Sequence, residues 1–515
     1  MSGSMQQFFT SADYLLSLPM IMLSLFALGI LLIDLMLPAE WKRANAWTAL
    51  AGIVFSSAAV WKIQTAYRMA DSRGQAAAAF LGFGDSLIVD RFAVYFFYLF
   101  LAGAAVAILM SVRYLEIERV HHGEFYALIL FSVVGMMCMA AGYDVVLIFI
   151  GLELMAISTY VLVGFLRRDQ RSNEAALKYL LLGAFSSGIF AYGLSLFYGL
   201  AGSTNVRTIA LKLEEHVRSN PHDPVAILAL LTTATGLLFK IAAVPFHQWA
   251  PDAYEGAPTS VTGFMSVAVK AAAWAMLLRI FLYMIYPMRP TYVPLLVFVA
   301  IATMTGGNLA ALAQTNLKRL LAYSSIAHVG YMLLGLIAGT TTTASTTGIK
   351  GILVYLLVYT FMNLGAFAVI TSLRRRDVIG DEIDDIAGLM SRAPTEAILM
   401  LFFLLSLAGI PPMAGFWGKY FIFLSLIESG HYLLAALAVL YAVVGLYYYM
   451  RIASAMLMRP ATDTEPVSMS PGLRLALLIT GAGTVFIGIF PDFFLRAANW
   501  SLNAPQANAI AALFR

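Results

Sequence analysis

Residues 224–249 read PVAILALLTTATGLLFKIAAVPFHQW. The part from 224 to 244 is long and apolar enough to cross a bilayer as a helix, which takes about 20 residues. Yet it carries Lys240 and runs into Pro245. An ionisable side chain at the membrane centre costs ~2.5–3.5 kcal/mol on translocon scales. Proline removes an amide donor and frees a carbonyl one turn back. Unpaired backbone in a membrane is tolerated only inside protein or beside water. The stretch therefore predicts a broken membrane helix with a hydrated cavity next to a lysine.

Working outward, similar apolar runs fall at about 15–37, 46–63, 91–113, 125–141, 145–166 and 175–200. Beyond it they continue at about 260–286, 292–314, 322–339, 350–373, 397–426, 432–457 and 473–490. Of 515 residues, 61% are apolar and 12% charged, with a mean hydropathy of +0.82. Soluble proteins have roughly 45–50% and about 25%, so these charges are too few to coat a water-soluble surface. The runs are too long and continuous for outer-membrane barrel strands, which alternate over ~10 residues. The fold class is all-α and polytopic, with about 14 transmembrane helices. Residues 205–220, with Lys212, Glu214, Glu215 and Arg218, read as a surface helix between spans, and 492–512 is too broken for a further span. No Lys or Arg precedes Lys42, so a cleavable signal peptide is not expected. One cysteine, Cys138, excludes disulfides within the chain and a four-thiolate iron–sulfur cluster. A net charge of +4 is too small to argue for nucleic acid.

Lys and Arg favour the connections on one side, including Lys42-Arg43, Arg113 to Arg119, Arg167-Arg168 to Lys178, Lys318-Arg319 and Arg374 to Arg376. By the positive-inside rule both termini are expected outside. A second break, Gly409-Ile-Pro411-Pro412-Met-Ala-Gly415-Phe-Trp417-Gly-Lys419, lies in the twelfth run, five spans after the first. Five is odd, so two such units would lie inverted in the membrane, a transporter arrangement.

Besides Lys240 and Lys419, ionisable groups stand at Glu153 in the fifth run, Lys270 in the eighth and His328 in the tenth. Charges at such depth usually face a polar interior and act there. A partly desolvated lysine exchanges protons more readily, and a nearby carboxylate opposes this. A movable Glu–Lys distance would then load and unload a proton, the chemistry of a relay. Arg279 and Arg451 lie toward helix ends, where snorkelling is expected. Neither a dinucleotide fingerprint nor a Walker sequence occurs, and no His/Cys cluster suggests a metal or redox centre.

Gly151 to Tyr160 (GLELMAISTY), Phe239 to Thr259 (FKIAAVPFHQWAPDAYEGAPT) and Leu317 to Tyr331 (LKRLLAYSSIAHVGY) resemble the antiporter-like membrane subunits of respiratory complex I, the proton-pumping NADH:quinone oxidoreductase. The resemblance covers nearly the whole chain. It implies two inverted five-helix repeats, which would place helices 1–3 in 1–120, the repeats in 121–288 and 289–460, and helix 14 with the tail in 461–515. Subunit L has a long C-terminal extension and subunit M a glutamate where Lys419 stands, so the wording follows the subunit N pattern. The resemblance implies that Glu153 and Lys240 form the modulating pair, Lys270 the central relay, and Lys419 the terminal lysine, with His328 between them. The thirteenth run has no lysine equivalent to Lys270, so the relay would be asymmetric. By the same resemblance this chain holds no cofactor, whereas NADH, FMN, iron–sulfur clusters and quinone serve the whole complex. Its partners would be other membrane and peripheral subunits, above all neighbouring antiporter-like and small membrane subunits, in a bacterial inner membrane. The rival readings are a cation/proton antiporter subunit, the ferredoxin-coupled photosynthetic relative, and a helical scaffold with inert charges.

Overall fold

In the computed structural model, which describes residues 11–72, 80–341, 346–375, 380–461 and 469–502, helices dominate. In chain order they begin with α1 (Ser11–Met36), α2 (Ala44–Ser72), α3 (Arg91–Glu118), α4 (Gly123–Ala141), α5 (Val145–Val163) and α6 (Gln170–Ala201). Next come the surface helix α7 (Val206–Ser219), α8 (Pro224–Lys240), α9 (Trp249–Gly256), α10 (Thr259–Met284), α11 (Arg289–Leu312), α12 (Leu317–Thr341) and α13 (Thr346–Leu373). The chain continues through the single turn α14 (Leu389–Arg392), α15 (Pro394–Ala408), α16 (Ala414–Glu428), α17 (Tyr432–Met458), α18 (Pro471–Ile489) and α19 (Asp492–Leu502). A small antiparallel hairpin, β1 (Phe80–Gly82) with β2 (Leu87–Val89), precedes α3.

Twelve helices among the described residues are long and apolar enough to cross a membrane. The seventh apolar run ends as α8, with α9 following after a break, and the twelfth is split into α15 and α16. Helix starts are fixed by short polar side chains, whose oxygens satisfy orphan first-turn amides. Asp90, Asp144, Asp169 and Asp223 accept from Ala93, Val146, Arg171 and Ala226 at 2.8–3.0 Å. At α7 and α8 the His216 imidazole, hydrogen-bonded to Asp223 at 3.1 Å, holds that carboxyl below its ordinary range. Only α19 stands for the 492–512 tail among the described residues; residues 503–512 lie outside them.

The core sits around α10 and α12, each with 94% of its most apolar eighteen residues buried, against 33% for α1 and α17. Small residues let neighbouring helices close on this core. A Cβ on Gly135 of α4 would stand 2.5 Å from the Gly151 carbonyl of α5, and one on Gly151 would stand 2.8 Å from the Gly135 carbonyl. This contact sets the position of Glu153, half a turn further along α5.

One expectation is overturned here. Arg279 does not snorkel: it is fully buried in α10 and forms a two-pronged ion pair with Asp90, at 2.8 and 3.1 Å. Its Nε donates to the Ala140 carbonyl at 2.5 Å, and the guanidinium lies 5.1 Å over the Phe92 ring. The pair ties α10 to the start of α3 and the end of α4. A buried counter-ion removes the reason to reach for water, and Asp90 stands too far away in sequence to reveal itself. Lys270 and Arg279 bound an α-helical segment flanked by two π turns, Met265–Val269 and Ile280–Met284. Such turns widen a helix locally and recur at functional positions. Arg451 is partly buried rather than extended to water, donating to the Leu312 carbonyl at 2.6 Å and to the Gln314 carbonyl.

Candidate functional site

α8 ends at Lys240, Pro245 cannot donate the amide that would carry the helix on past Ile241, and the chain crosses residues 241–248 before coiling again at Trp249. Within the break Ala242 adopts a left-handed φ of 60° and the Val244–Pro245 bond is cis. The Phe239 carbonyl accepts from the Ala242 amide and from the Trp249 indole, both at 2.9 Å, and the Val244 amide donates to Thr303 Oγ1 at 3.0 Å. Trp249 stacks on Tyr179 with ring centres 4.5 Å apart, and Tyr179 meets Tyr160 edge-on at 4.6 Å. Against this aromatic wall lies Lys240, 4% exposed. Its ammonium donates to the Tyr160 hydroxyl at 3.4 Å and stands 5.7 Å above the same ring.

Glu153 is close enough to act electrostatically on Lys240, yet no ion pair within 4.0 Å joins them. Its Oε1 is buried without a hydrogen-bond partner. The two predicted partners are thus neighbours held apart, with Tyr160 serving the lysine. Glu153 also borders the outer face of α5, where Val146, Ile150, Ile157 and Val161 are exposed.

Lys270, 3% exposed, follows the first π turn of α10. Its ammonium donates to Ser325 Oγ and, at 3.4 Å, to the Ser325 carbonyl on α12. One helical turn on, His328 places Nδ1 against the Tyr355 hydroxyl of α13 and Nε2 2.9 Å from the Tyr449 hydroxyl of α17. Tyr449 also meets Ser324, and Tyr448 donates to Asn308 at 3.2 Å. His328 lies within electrostatic reach of both Lys270 and Lys419.

The second break, at 409–413, completes the row. Gly409 takes a φ of 85°, open to glycine at little cost, and the Pro411–Pro412 bond is cis. Carbonyls left over at the end of α15 are taken by Lys419, whose Nζ donates to Leu407 at 3.1 Å and to Ala408 at 2.7 Å. A Cβ on Gly409 would stand 2.7 Å from Lys419 Cδ, so this glycine also makes room for the side chain. The ammonium lies 5.3 Å over Tyr331, whose ring meets His328 edge-on at 6.1 Å.

Hence His328 stands between Lys270 and Lys419, within electrostatic reach of both, while Lys240 and Glu153 occupy a second, aromatic-lined station. Sequence reasoning missed the hydroxyls between them. Ser324, Ser325, His328 and Tyr331 share one helix face at three- and four-residue spacing, a pattern legible as a polar stripe. Tyr355 and Tyr449 carried no such mark. The quoted motifs also build a joint at one end of the bundle. Arg319 donates to Asp252 at 2.7 Å and Glu255 at 2.9 Å, Lys178 reaches Asp252 at 3.0 Å, and Lys318 donates to the Ala257 carbonyl at 3.0 Å.

A helical membrane protein with interrupted helices and a file of buried cations falls in the class of ion-translocating membrane subunits. Residues 142–445 match the family described as NADH:quinone oxidoreductase/Mrp antiporter, transmembrane. The chain is 68% identical over 500 residues to NADH-quinone oxidoreductase subunit N 1 of Koribacter versatilis, covering 97% of each. It is similar to a chain of respiratory complex I from Thermus thermophilus solved with bound aureothin, at 32% identity and a TM-score of 0.76, covering 93% of this chain and 99% of that one. A chain of the Mrp complex from Dietzia sp. shares the fold at 19% identity and a TM-score of 0.77, covering 97% and 100%. The chain belongs to the family of antiporter-like membrane subunits of NADH:quinone oxidoreductase and Mrp antiporters, and within it groups with subunit N.

Proposed function

We propose that this chain is the subunit-N-type, proton-translocating membrane subunit of NADH:quinone oxidoreductase. NADH oxidation and quinone reduction take place on other subunits, and their free energy reaches this chain as an electrostatic or conformational bias. The observation that carries the reading is the buried file itself. Lys270 and Lys419 each hold a proton on an ammonium whose partners are neutral oxygens of Ser325, Leu407 and Ala408. Among the described residues no carboxylate within 4.0 Å locks either of them in the charged form, so proton release is open to both. His328, bracketed by two tyrosine hydroxyls, can take a proton at one ring nitrogen and deliver one from the other.

Glu153 sets the load at Lys240: approach of the carboxylate favours the ammonium, and withdrawal favours release. Lys240 would load near the first break and Lys419 discharge near the second, with water reaching each break from opposite sides. That polarity follows from two inverted five-helix units among fourteen crossings, with both termini outside. Identity to the subunit-N relatives, far above that to the Mrp chain, supports the respiratory reading over a free antiporter.

The test is Lys270→Arg beside Lys270→Ala, in the assembled complex reconstituted into vesicles, with quinone-coupled acidification as the readout. Arginine keeps the charge but does not deprotonate, its pKa exceeding ~12. Both variants are expected to lose most pumping while assembling normally. A fully active arginine variant would show that positive charge alone is needed.

A further inference from the structure

Two cations stand side by side at the start of α12, with unlike partners. Arg319 is held by Asp252 at 2.7 Å and Glu255 at 2.9 Å. Lys318 is 4% exposed, and its ammonium donates at 3.0 Å to the neutral Ala257 carbonyl, at the corner between α9 and α10. Among the described residues its one carboxylate within 4.0 Å is Asp381, itself buried and at 4.0 Å. Asp381 lies in a segment that crosses the end of α12. Its carbonyl accepts from the Leu317 amide at 2.6 Å, and the Ile383 amide donates to the Thr315 carbonyl at 2.9 Å. An arginine between two carboxylates is a fixed joint. A buried lysine with a neutral acceptor and a carboxylate held off is the same kind of station as Lys240 with Glu153.

Lys318 and Ser325 share one face of α12, seven residues and about 10 Å apart, and Ser325 accepts from Lys270. The corner that Lys318 grips borders the same interval. Tyr254, three residues before Ala257, has its carbonyl fixed by Thr262 Oγ1 at 2.8 Å, and its ring centre lies 6.0 Å from the Lys270 ammonium. Ser260, three residues after Ala257, and Tyr359, whose ring centre is 5.2 Å from that of His328, have buried hydroxyls with no hydrogen-bond partner among the described residues. Such hydroxyls are unfavourable when left unpaired, and ordered water is their usual partner. The interval between Lys318 and Lys270 is thus built to hold water. Solvent lies one side chain away on the other side: Glu255, within electrostatic reach of Lys318, is 28% exposed.

We propose that Lys318 is a further proton-carrying residue, loaded at the Lys- and Arg-rich end of the bundle and feeding Lys270, with Asp381 as the carboxylate that biases it. The inference rests on the proton-translocating reading of Lys270. A solvent proton adds to the neutral Lys318 amine. The ammonium then gives a proton to the intervening water, which passes one to the Lys270 amine, so one N–H bond breaks and one forms. Besides Asp381, the charged groups acting on Lys318 are Glu255 on α9, Asp169 just before α6 and Arg374 just past α13. Asp381 is the nearest of them, so its distance sets the load.

The test uses the assembled complex in vesicles, with protons transported per NADH oxidised followed against pH. Lys318→Arg keeps the charge and a donor for Ala257 but does not release a proton, and it is expected to assemble and lose most transport. Asp381→Asn removes the carboxylate that favours the ammonium, so Lys318 loads only at lower pH. The alkaline limb of the transport profile is expected to move down by about one pH unit, whereas a merely structural pair would leave it in place. Parental transport by Lys318→Arg, with Lys270→Arg inactive beside it, overturns this inference and leaves the Lys270 reading standing. A fully active Lys270→Arg overturns both. Should Lys318→Arg fail to assemble, the Asp381→Asn profile decides, and an unshifted limb overturns the inference.

Discussion

Replacing Arg279 with Met leaves the Asp90 carboxylate fully buried with no counter-ion. The attraction across 2.8 Å is about 6 kcal/mol at an effective dielectric of 20. Withdrawing each ion from water costs several kcal/mol, so the pair as a whole contributes little. Breaking it is a different event: one stranded charge costs about 3–5 kcal/mol. Arg279→Met and Asp90→Leu should each destabilise the chain by that amount. The double replacement strands no charge. It forgoes the Asp90 cap on Ala93, about 1 kcal/mol, and the donor to the Ala140 carbonyl, a further ~1–3 kcal/mol. The double variant should therefore be no worse than either single one, and far better than their sum. The assay is a denaturant midpoint for the purified complex, with the amount of chain retained in membranes as a second readout. If the single losses sum to the double loss within about 0.5 kcal/mol, the sites are independent and the ionic tie is not what joins α10 to α3.

Glu153→Gln removes the charge that biases Lys240 while keeping size and shape; quinone-coupled pumping should fall with assembly intact, and a variant pumping at the parental rate would falsify the modulating role. At the second break, Lys419→Glu should keep more pumping than Lys419→Ala, because a protonated carboxyl can still donate to the Leu407 or Ala408 carbonyl and then release its proton. Equal loss in both, in normally assembled complexes, would mean that the cation itself is required.

The breaks and buried charges were legible because each violates what a lipid-spanning helix tolerates: Pro245, Pro411 and Pro412 break the ladder, and Lys240, Lys270 and Lys419 break the apolar run. The surface helix at 206–219 was legible from its charges. What escaped notice were residues compatible with a membrane helix by composition. Tyr160, Tyr355 and Tyr449 look like ordinary aromatic packing until the fold turns their hydroxyls toward Lys240 and His328. Arg279 was misread because its partner lies 189 residues away, and sequence spacing carries no signal for that pairing. The split α8–α9 and α15–α16 helices needed only local chemistry; the file between them needed tertiary structure.

The depth of the central groups determines where electrical work is done. At 1.5 Å per residue, Lys270 sits about 16 Å along α10 from Thr259, His328 about 16 Å along α12 from Leu317, and Lys419 about 14 Å from the Glu428 end of α16. With those helix ends at the edges of a hydrocarbon layer of ~30 Å, each group would lie close to halfway through it. On the proposed relay, a proton passed among them would move sideways, nearly along a surface of constant potential, so the membrane voltage would neither help nor oppose it. The cost of about 2.3 kcal/mol per charge for each 100 mV would then fall on the vertical steps at the two ends. A voltage applied across the membrane should accordingly be felt at loading and discharge, while the middle of the file is electrically silent.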